Sequence, residues 1–160
     1  MDDERITIAA EPADSDQGRA LLAEMEAEVE ALYAGREEAN PLTSVVADLL
    51  PPDGALLIVR AGGEPIACAG IRRWDGSTGE IKRVYVRPGF RGRGVGRQLM
   101  AAVEEHAAQL GYRRIRLDTG REQEAARRIY ESSGYRSIER YNEAPFATYW
   151  FEKDLPPAPP

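Results

Sequence analysis

Val84-Tyr85-Val86-Arg87-Pro88-Gly89-Phe90-Arg91-Gly92-Arg93-Gly94-Val95-Gly96-Arg97 passes from a strand-like apolar run, through a glycine-rich turn, into the start of a helix. That helix is marked by Val95, Leu99, Val103, Ala107 and Leu110 on one face, and Gly111 stands where a left-handed terminal residue is expected. Glycines in the turn remove Cβ atoms that would block close approach, so several backbone N–H groups can point at one anion beside the positive end of the helix dipole. Arg83, Arg87, Arg91, Arg93 and Arg97 fall in the same short stretch of a chain whose net charge is -6. Such local contrast suits a compact phosphate group better than a long polyanion.

Missing residues narrow the ligand. Gly89 and Gly94 have the spacing of a nucleotide-triphosphate loop, but Val95 and Gly96 stand where that loop needs Lys and then Ser or Thr. Gly92-x-Gly94 resembles the start of a dinucleotide fingerprint, yet Arg97 occupies the place of its third glycine. Kinases, ATPases and nicotinamide enzymes are therefore disfavoured.

Upstream of the loop, Arg5 to Ala9 alternates as a strand does. Leu21, Leu22, Met25, Val29, Leu32 and Tyr33 form a helical stripe, and Leu42 to Leu50 reads as a second helix. Ala55 to Val59, Pro65 to Ile71 and about Gly79 to Val86 read as an antiparallel meander, with turns at Gly62-Gly63 and Asp75-Gly76. Downstream, Arg114 to Asp118 is a strand, Glu122 to Ser132 a helix stopped by Gly134, and Tyr135 to Ile138 and Thr148 to Lys153 the last strands. The predicted order is β-α-α-β-β-β-α-β-α-β-β.

With 160 residues the chain is expected to form one domain over 1–155, followed by a disordered Pro-rich tail over 156–160. The acidic start Met1-Asp2-Asp3-Glu4 lacks the features of a secretory signal, and no apolar run reaches the roughly 20 residues of a membrane span. A cytoplasmic location without membrane contact is expected. The overall charge, and the lack of an aromatic platform beside the arginines, disfavour nucleic acid as a partner. Cys68, the single cysteine, reads as a buried structural thiol, and with His106 the single histidine no metal framework is expected.

Arg91-Gly92-Arg93-Gly94-Val95-Gly96 matches Arg/Gln-x-x-Gly-x-Gly/Ala, the acetyl-CoA signature of the GNAT family of N-acetyltransferases. Tyr130-Glu131-Ser132-Ser133-Gly134-Tyr135 is similar to that family's Tyr-x-x-x-Gly-Phe/Tyr segment, and the closing Trp150 to Leu155 resembles the end of many bacterial members. The resemblance spans nearly the whole chain. It implies an α/β (α+β) fold of the acyl-CoA N-acyltransferase type, with a mixed central sheet of about seven strands flanked by helices. It further implies that the backbone of Val84, Tyr85 and Val86 pairs with the pantetheine arm of acetyl-CoA, the co-substrate, while Arg91, Gly92, Arg93, Gly94, Val95, Gly96 and Arg97 wrap its pyrophosphate. Gln123 stands where members commonly carry a cofactor-binding Asn. A homodimer is a further expectation of the resemblance.

Amine acetylation requires an uncharged nucleophile and a means of stabilising the departing thiolate. By the same resemblance Glu80 corresponds to the general base and Tyr130 to the acid beside the sulfur, with backbone N–H groups near Val84 polarising the thioester carbonyl. Read from the residues alone, Glu80 is also compatible with a solvated surface charge, and Tyr130 with an aromatic that holds its helix to the sheet. Tyr33, Trp74 and Asn142 fit either an acceptor pocket or packing, and Glu37-Glu38 either a cationic amine or a solvated helix end. An N-acetyltransferase acting on a small-molecule or protein amine leads these readings, ahead of a catalytically silent acyl-CoA-binding module.

Overall fold

Aliphatic runs between Ala55 and Val86 form three consecutive antiparallel strands, because tight turns at Gly62-Gly63 and Gly76 return the chain directly along the preceding strand. The computed structural model describes residues 5–32, 46–120, 124–144 and 147–158. Within them the chain order is β1 (Ile6–Glu11), α1 (Asp16–Leu32), β2 (Ala55–Ala61), β3 (Glu64–Asp75), β4 (Thr78–Val86), α2 (Val95–Gln109), β5 (Arg114–Gly120), α3 (Glu124–Ser132), β6 (Arg136–Ile138) and β7 (Ala147–Asp154). Where a second helix was expected over 42–50, the described part is a short 3-10 turn at Val46–Leu49, and residues 42–45 lie outside the described residues.

The strands make one 7-stranded sheet in the order β1-β2-β3-β4-β5-β7-β6, parallel only between β4 and β5. The expected mixed sheet with flanking helices is therefore present. On one face α1 buries Leu21 and Leu22 against Leu56, Ile58, Cys68 and Tyr85. On the other, Leu99, Met100 and Val103 of α2 and Tyr130 of α3 pack over Ile71, Ile81, Ile115 and Leu117. Local signals set the helix ends. Ser15 Oγ accepts the Gly18 N–H at 3.1 Å to start α1, while Gly111 at φ 98 lets the Tyr112 N–H close on the Ala107 carbonyl and end α2.

Two irregularities in β4 position the site. Its pairing with β5 covers Thr78↔Arg114, Gly79↔Ile115 and Glu80↔Arg116 and then stops, although both strands continue. A wedge therefore opens between residues 81–86 and 117–120. In addition, Lys82 pairs with Gly70 and Tyr85 with Cys68, so Arg83 and Val84 together oppose Ala69 in a β-bulge. Arg83 takes a left-handed φ of 61 there, a conformation that costs a residue with a side chain about 1–2 kcal/mol.

The bulge switches which face successive side chains occupy. Gly70 lies on the α1 face, since a Cβ on it would meet Leu49, and its register partner Lys82 shares that face. Glu80 lies there too, whereas Val84 and Val86, past the bulge, pack with the α2 and α3 core. One strand thus serves both sides of the wedge. Among the described residues no helix is long and apolar enough to cross a membrane, and no group of three His, Cys, Asp or Glu could hold a metal ion.

Candidate active site

A cavity of about 450 Å³, mainly on the α2 and α3 face but reached by Glu28 and Leu32 of α1, lies along the open edge of β4. Val84, Tyr85, Val86, Arg91, Gly92, Gly94, Val95, Gly96, Arg97 and Tyr130 line it, as do Glu28, Phe90 and Ile129. Past Glu80 the β5 side of β4 has no strand partner among the described residues, which leaves backbone available to an extended ligand. Gly94 caps α2 at φ 82 with no side-chain cap, so the first-turn N–H groups of α2 are free of intrahelical bonds. A Cβ on Gly92 or Gly94 would meet nothing within 4 Å; both glycines are needed for their positive φ and for the space before them, not to avoid a clash.

The arginines divide. Arg83 pairs with Glu26 at 3.2 Å and Arg87 with Glu24 at 2.6 Å, both on α1, so these two brace the helix against β4. Arg91 lines the cavity, but its Nη2 donates to both Glu28 oxygens at 2.8 and 2.6 Å and its Nε to the Val86 carbonyl at 2.7 Å. Arg93 lies over the Phe90 ring at 5.6 Å and does not line the cavity, whereas Arg97 does. Of the five arginines, Arg91 and Arg97 line the cavity, while Arg83, Arg87 and Arg91 are drawn to carboxylates of α1. The reason is the acidic run Glu24, Glu26 and Glu28, distant in sequence but laid alongside β4 by the fold. Gln123 lies outside the described residues, as do Tyr33, Glu37 and Glu38.

Tyr130 is 4% exposed and packs edge-on against Tyr135 at 5.8 Å, while also lining the cavity. Tyr130 thus holds α3 to the sheet and reaches the cavity with the same side chain. Among the described residues its hydroxyl has no hydrogen-bond partner. Burial, and secondarily the charge of Asp118, push its ionisation well above that of an ordinary phenol, so it keeps its proton throughout the neutral range.

Glu80 is 1% exposed, which removes the solvated surface reading. Its Oε2 accepts the Tyr141 hydroxyl at 2.7 Å and the Asn142 Nδ2 at 3.1 Å, with the Lys82 Nζ at 3.5 Å. Its Oε1 faces the Arg72 Nε at 3.2 Å. Lys82 also donates to Asp118 at 2.8 Å, and Trp74 packs edge-on to Tyr141 at 4.9 Å. A second carboxylate and two cations therefore converge where β4 and β5 part. Neither Asp118 nor Lys82 stands out as a site residue from the sequence; the signal available there is alternate charged residues on strands that must be half-buried, Glu80 and Lys82 on one and Arg116 and Asp118 on another. Cys68 is buried, its thiol pushed up to about 12 by burial, with Sγ donating to the Arg83 carbonyl at 3.5 Å; it is an inert core residue.

Comparison with known proteins gives a consistent picture. Residues 18–135 match the model of the acetyltransferase (GNAT) family. An IAA acetyltransferase of Azospirillum brasilense is 30% identical over 145 residues, which are 90% of each chain. A solved structure from Klebsiella pneumoniae, described as an acyl-CoA N-acyltransferase, is 30% identical with a TM-score of 0.76, over 95% of this chain and 99% of that one. A GNAT acetyltransferase from Elizabethkingia anophelis, solved with acetyl-CoA bound, shares the fold at a TM-score of 0.68 and 22% identity, over 94% and 98% of the two chains.

Proposed function

This chain belongs to the acetyltransferase (GNAT) family, and on that premise we propose that it transfers the acetyl group of acetyl-CoA directly to an amine of a small molecule or protein, through the wedge between β4 and β5. The observation that carries this reading is the arrangement about the wedge. A cavity walled by open backbone and a helix N-terminus lies on one face, and a buried carboxylate lies on the other.

The open edge of β4 at Val84 to Val86 receives the pantetheine arm as an added strand, and the amides at Gly92 to Arg97, with the Arg97 guanidinium, hold the pyrophosphate. Acetyl-CoA supplies the thioester. The acceptor amine comes from the α1 face and attacks the thioester carbonyl carbon; the C–N bond forms as the C–S bond breaks. Backbone N–H groups near Val84, turned by the bulge, offset the charge that develops on the carbonyl oxygen. Glu80 takes up the proton the amine sheds, and Tyr130 returns a proton to the departing sulfur. The support for the last role is a tyrosine that lines the cavity, keeps its proton and has no hydrogen-bond partner for its hydroxyl among the described residues.

Calorimetric titration of acetyl-CoA, with free thiol followed across a panel of amines, tests this function. Binding together with amine-dependent thiol release is the expected result. Binding without release for any amine would favour the silent acyl-CoA-binding module, and absence of binding would overturn both.

A further inference from the structure

We propose that Asn142 is the positioning residue of the acceptor side, an amide clamp that holds the Glu80 carboxylate in place where β4 and β5 part; the proposal rests on the reading of Glu80 as the base. Asn142 lies between β6 and β7, remote in sequence from both strands of the wedge, yet it touches what each contributes. Its Nδ2 donates to Glu80 Oε2 at 3.1 Å and to Asp118 Oδ2 at 2.7 Å. Its Oδ1 accepts the Trp150 indole N–H at 2.9 Å and the Ala144 backbone N–H at 3.3 Å. The two ends of the amide are therefore not interchangeable: turned over, an oxygen would face two carboxylates and an NH2 would face two donors. The amide spans the opening wedge and ties β4 to β5 just beyond their last paired residues, Glu80 and Arg116.

Among the described residues, the other groups facing Glu80 are three cations drawn to further carboxylates and one neutral hydroxyl. From β3, Arg72 is shared with Asp48 at 3.2 Å. From β4, Lys82 lies closer to Asp118, 2.8 Å, than to Glu80, 3.5 Å. From β5, Arg116 is drawn to Glu152 at 2.6 Å and lies over the Tyr141 ring at 5.1 Å. Tyr141 donates to Glu80 at 2.7 Å, and burial, then the Glu80 charge, keep its hydroxyl protonated. Among the described residues Asn142 is the one neutral donor that binds both carboxylates, so it fixes their separation without adding charge to the site.

The test compares Asn142→Ala, Asn142→Asp and Trp150→Phe with wild type, reading kcat/KM against pH with the amine found active and measuring the Kd for acetyl-CoA on each protein. Asn142→Asp keeps the shape but replaces the donor by an acceptor and adds a charge, so it sets the upper limit of the effect, while Asn142→Ala and Trp150→Phe, which add no charge, decide it. Donors favour the charged form of a carboxylate, so losing one lets the base hold its proton to higher pH, and the acid limb of the profile moves upward. We expect that shift in both Asn142 variants, larger in Asn142→Asp, with kcat/KM at neutral pH reduced about 10- to 100-fold and the acetyl-CoA Kd unchanged. Trp150→Phe, which frees one end of the amide but leaves the donor, moves the limb in the same direction by less, and it carries the test should the Asn142 variants fold poorly. An equal loss at every pH with an unmoved limb in Asn142→Ala and Trp150→Phe, the two variants that add no charge, would overturn the clamp. Glu80→Gln separates the two readings: if it keeps wild-type kcat/KM and limb, the base assignment falls and the clamp with it; if it loses activity while the Asn142 and Trp150 variants keep their limb, only the clamp falls.

Discussion

The two faces of the wedge are built in opposite ways. On the α2 and α3 face the cavity is lined largely by one continuous stretch, Val84 to Arg97, which presents backbone, two positive-φ glycines and a helix start. On the α1 face the polar cluster is assembled from Arg72, Glu80, Lys82, Asp118, Tyr141 and Asn142, drawn from β3, β4, β5 and the segment before β7. A site made of backbone is insensitive to side-chain removal and vulnerable to added atoms. A site made of side chains is the reverse, because each buried charge depends mostly on partners distant in sequence.

That contrast can be broken by substitution, and the largest effect is expected where atoms are added. Gly94→Trp should weaken acetyl-CoA binding by more than about 100-fold in calorimetry, about 2.7 kcal/mol, by filling the cavity in front of the α2 amides. Gly94→Ala, which carries the same positive-φ strain, should lose much less, and equal losses in the two would mean that strain rather than occlusion matters. On the opposite face Glu80→Gln should leave acetyl-CoA affinity intact and lower kcat by about 10²- to 10⁴-fold in the thiol-release assay. A parallel loss of affinity would show that the two faces are not separate.

Glu152 probes the α1 face away from the wedge. It is 7% exposed, and burial pushes its ionisation up, but hydrogen bonds from Arg116 and Arg136 and the charge of Arg114 outweigh this and hold it below its usual 4.5. A lowered carboxylate stabilises the folded state above its unfolded value and loses that contribution as pH falls through its folded value. Glu152→Gln should therefore cost about 1–3 kcal/mol in urea unfolding at pH 7, with the gap from wild type closing below about pH 4.5. Arg91→Ala should have the smallest effect, weakening acetyl-CoA binding by less than about fivefold, because the guanidinium is half exposed and held by Glu28. A larger loss would mean that Arg91 leaves Glu28 for the ligand.

How much was legible in advance follows the same division. The glycine-rich stretch and the helix after it could be read directly, because Gly92, Gly94 and Gly111 act through their own φ angles and the apolar face of α2 repeats every three to four residues. Glu80 could be named as a base only by resemblance, and its burial could not be foreseen from a neighbouring Lys82. The pairing of Arg83, Arg87 and Arg91 with α1 was equally hidden, since residues some sixty positions apart meet only through packing.

By itself the sequence determined most of the element types, the glycine-rich turn, the end of α2 and the family. Each of these is written in residues within a few positions of one another, where propensity, periodicity and φ preference operate. The tertiary structure alone decided where β4 parts from β5 and that Arg83 bulges, which turns Glu80 to one face and Val84 to the other. It also decided which charges meet around Glu80. Those outcomes depend on strand register and on long-range pairing of buried charges, and a change of one residue in register would send every side chain beyond it to the opposite face.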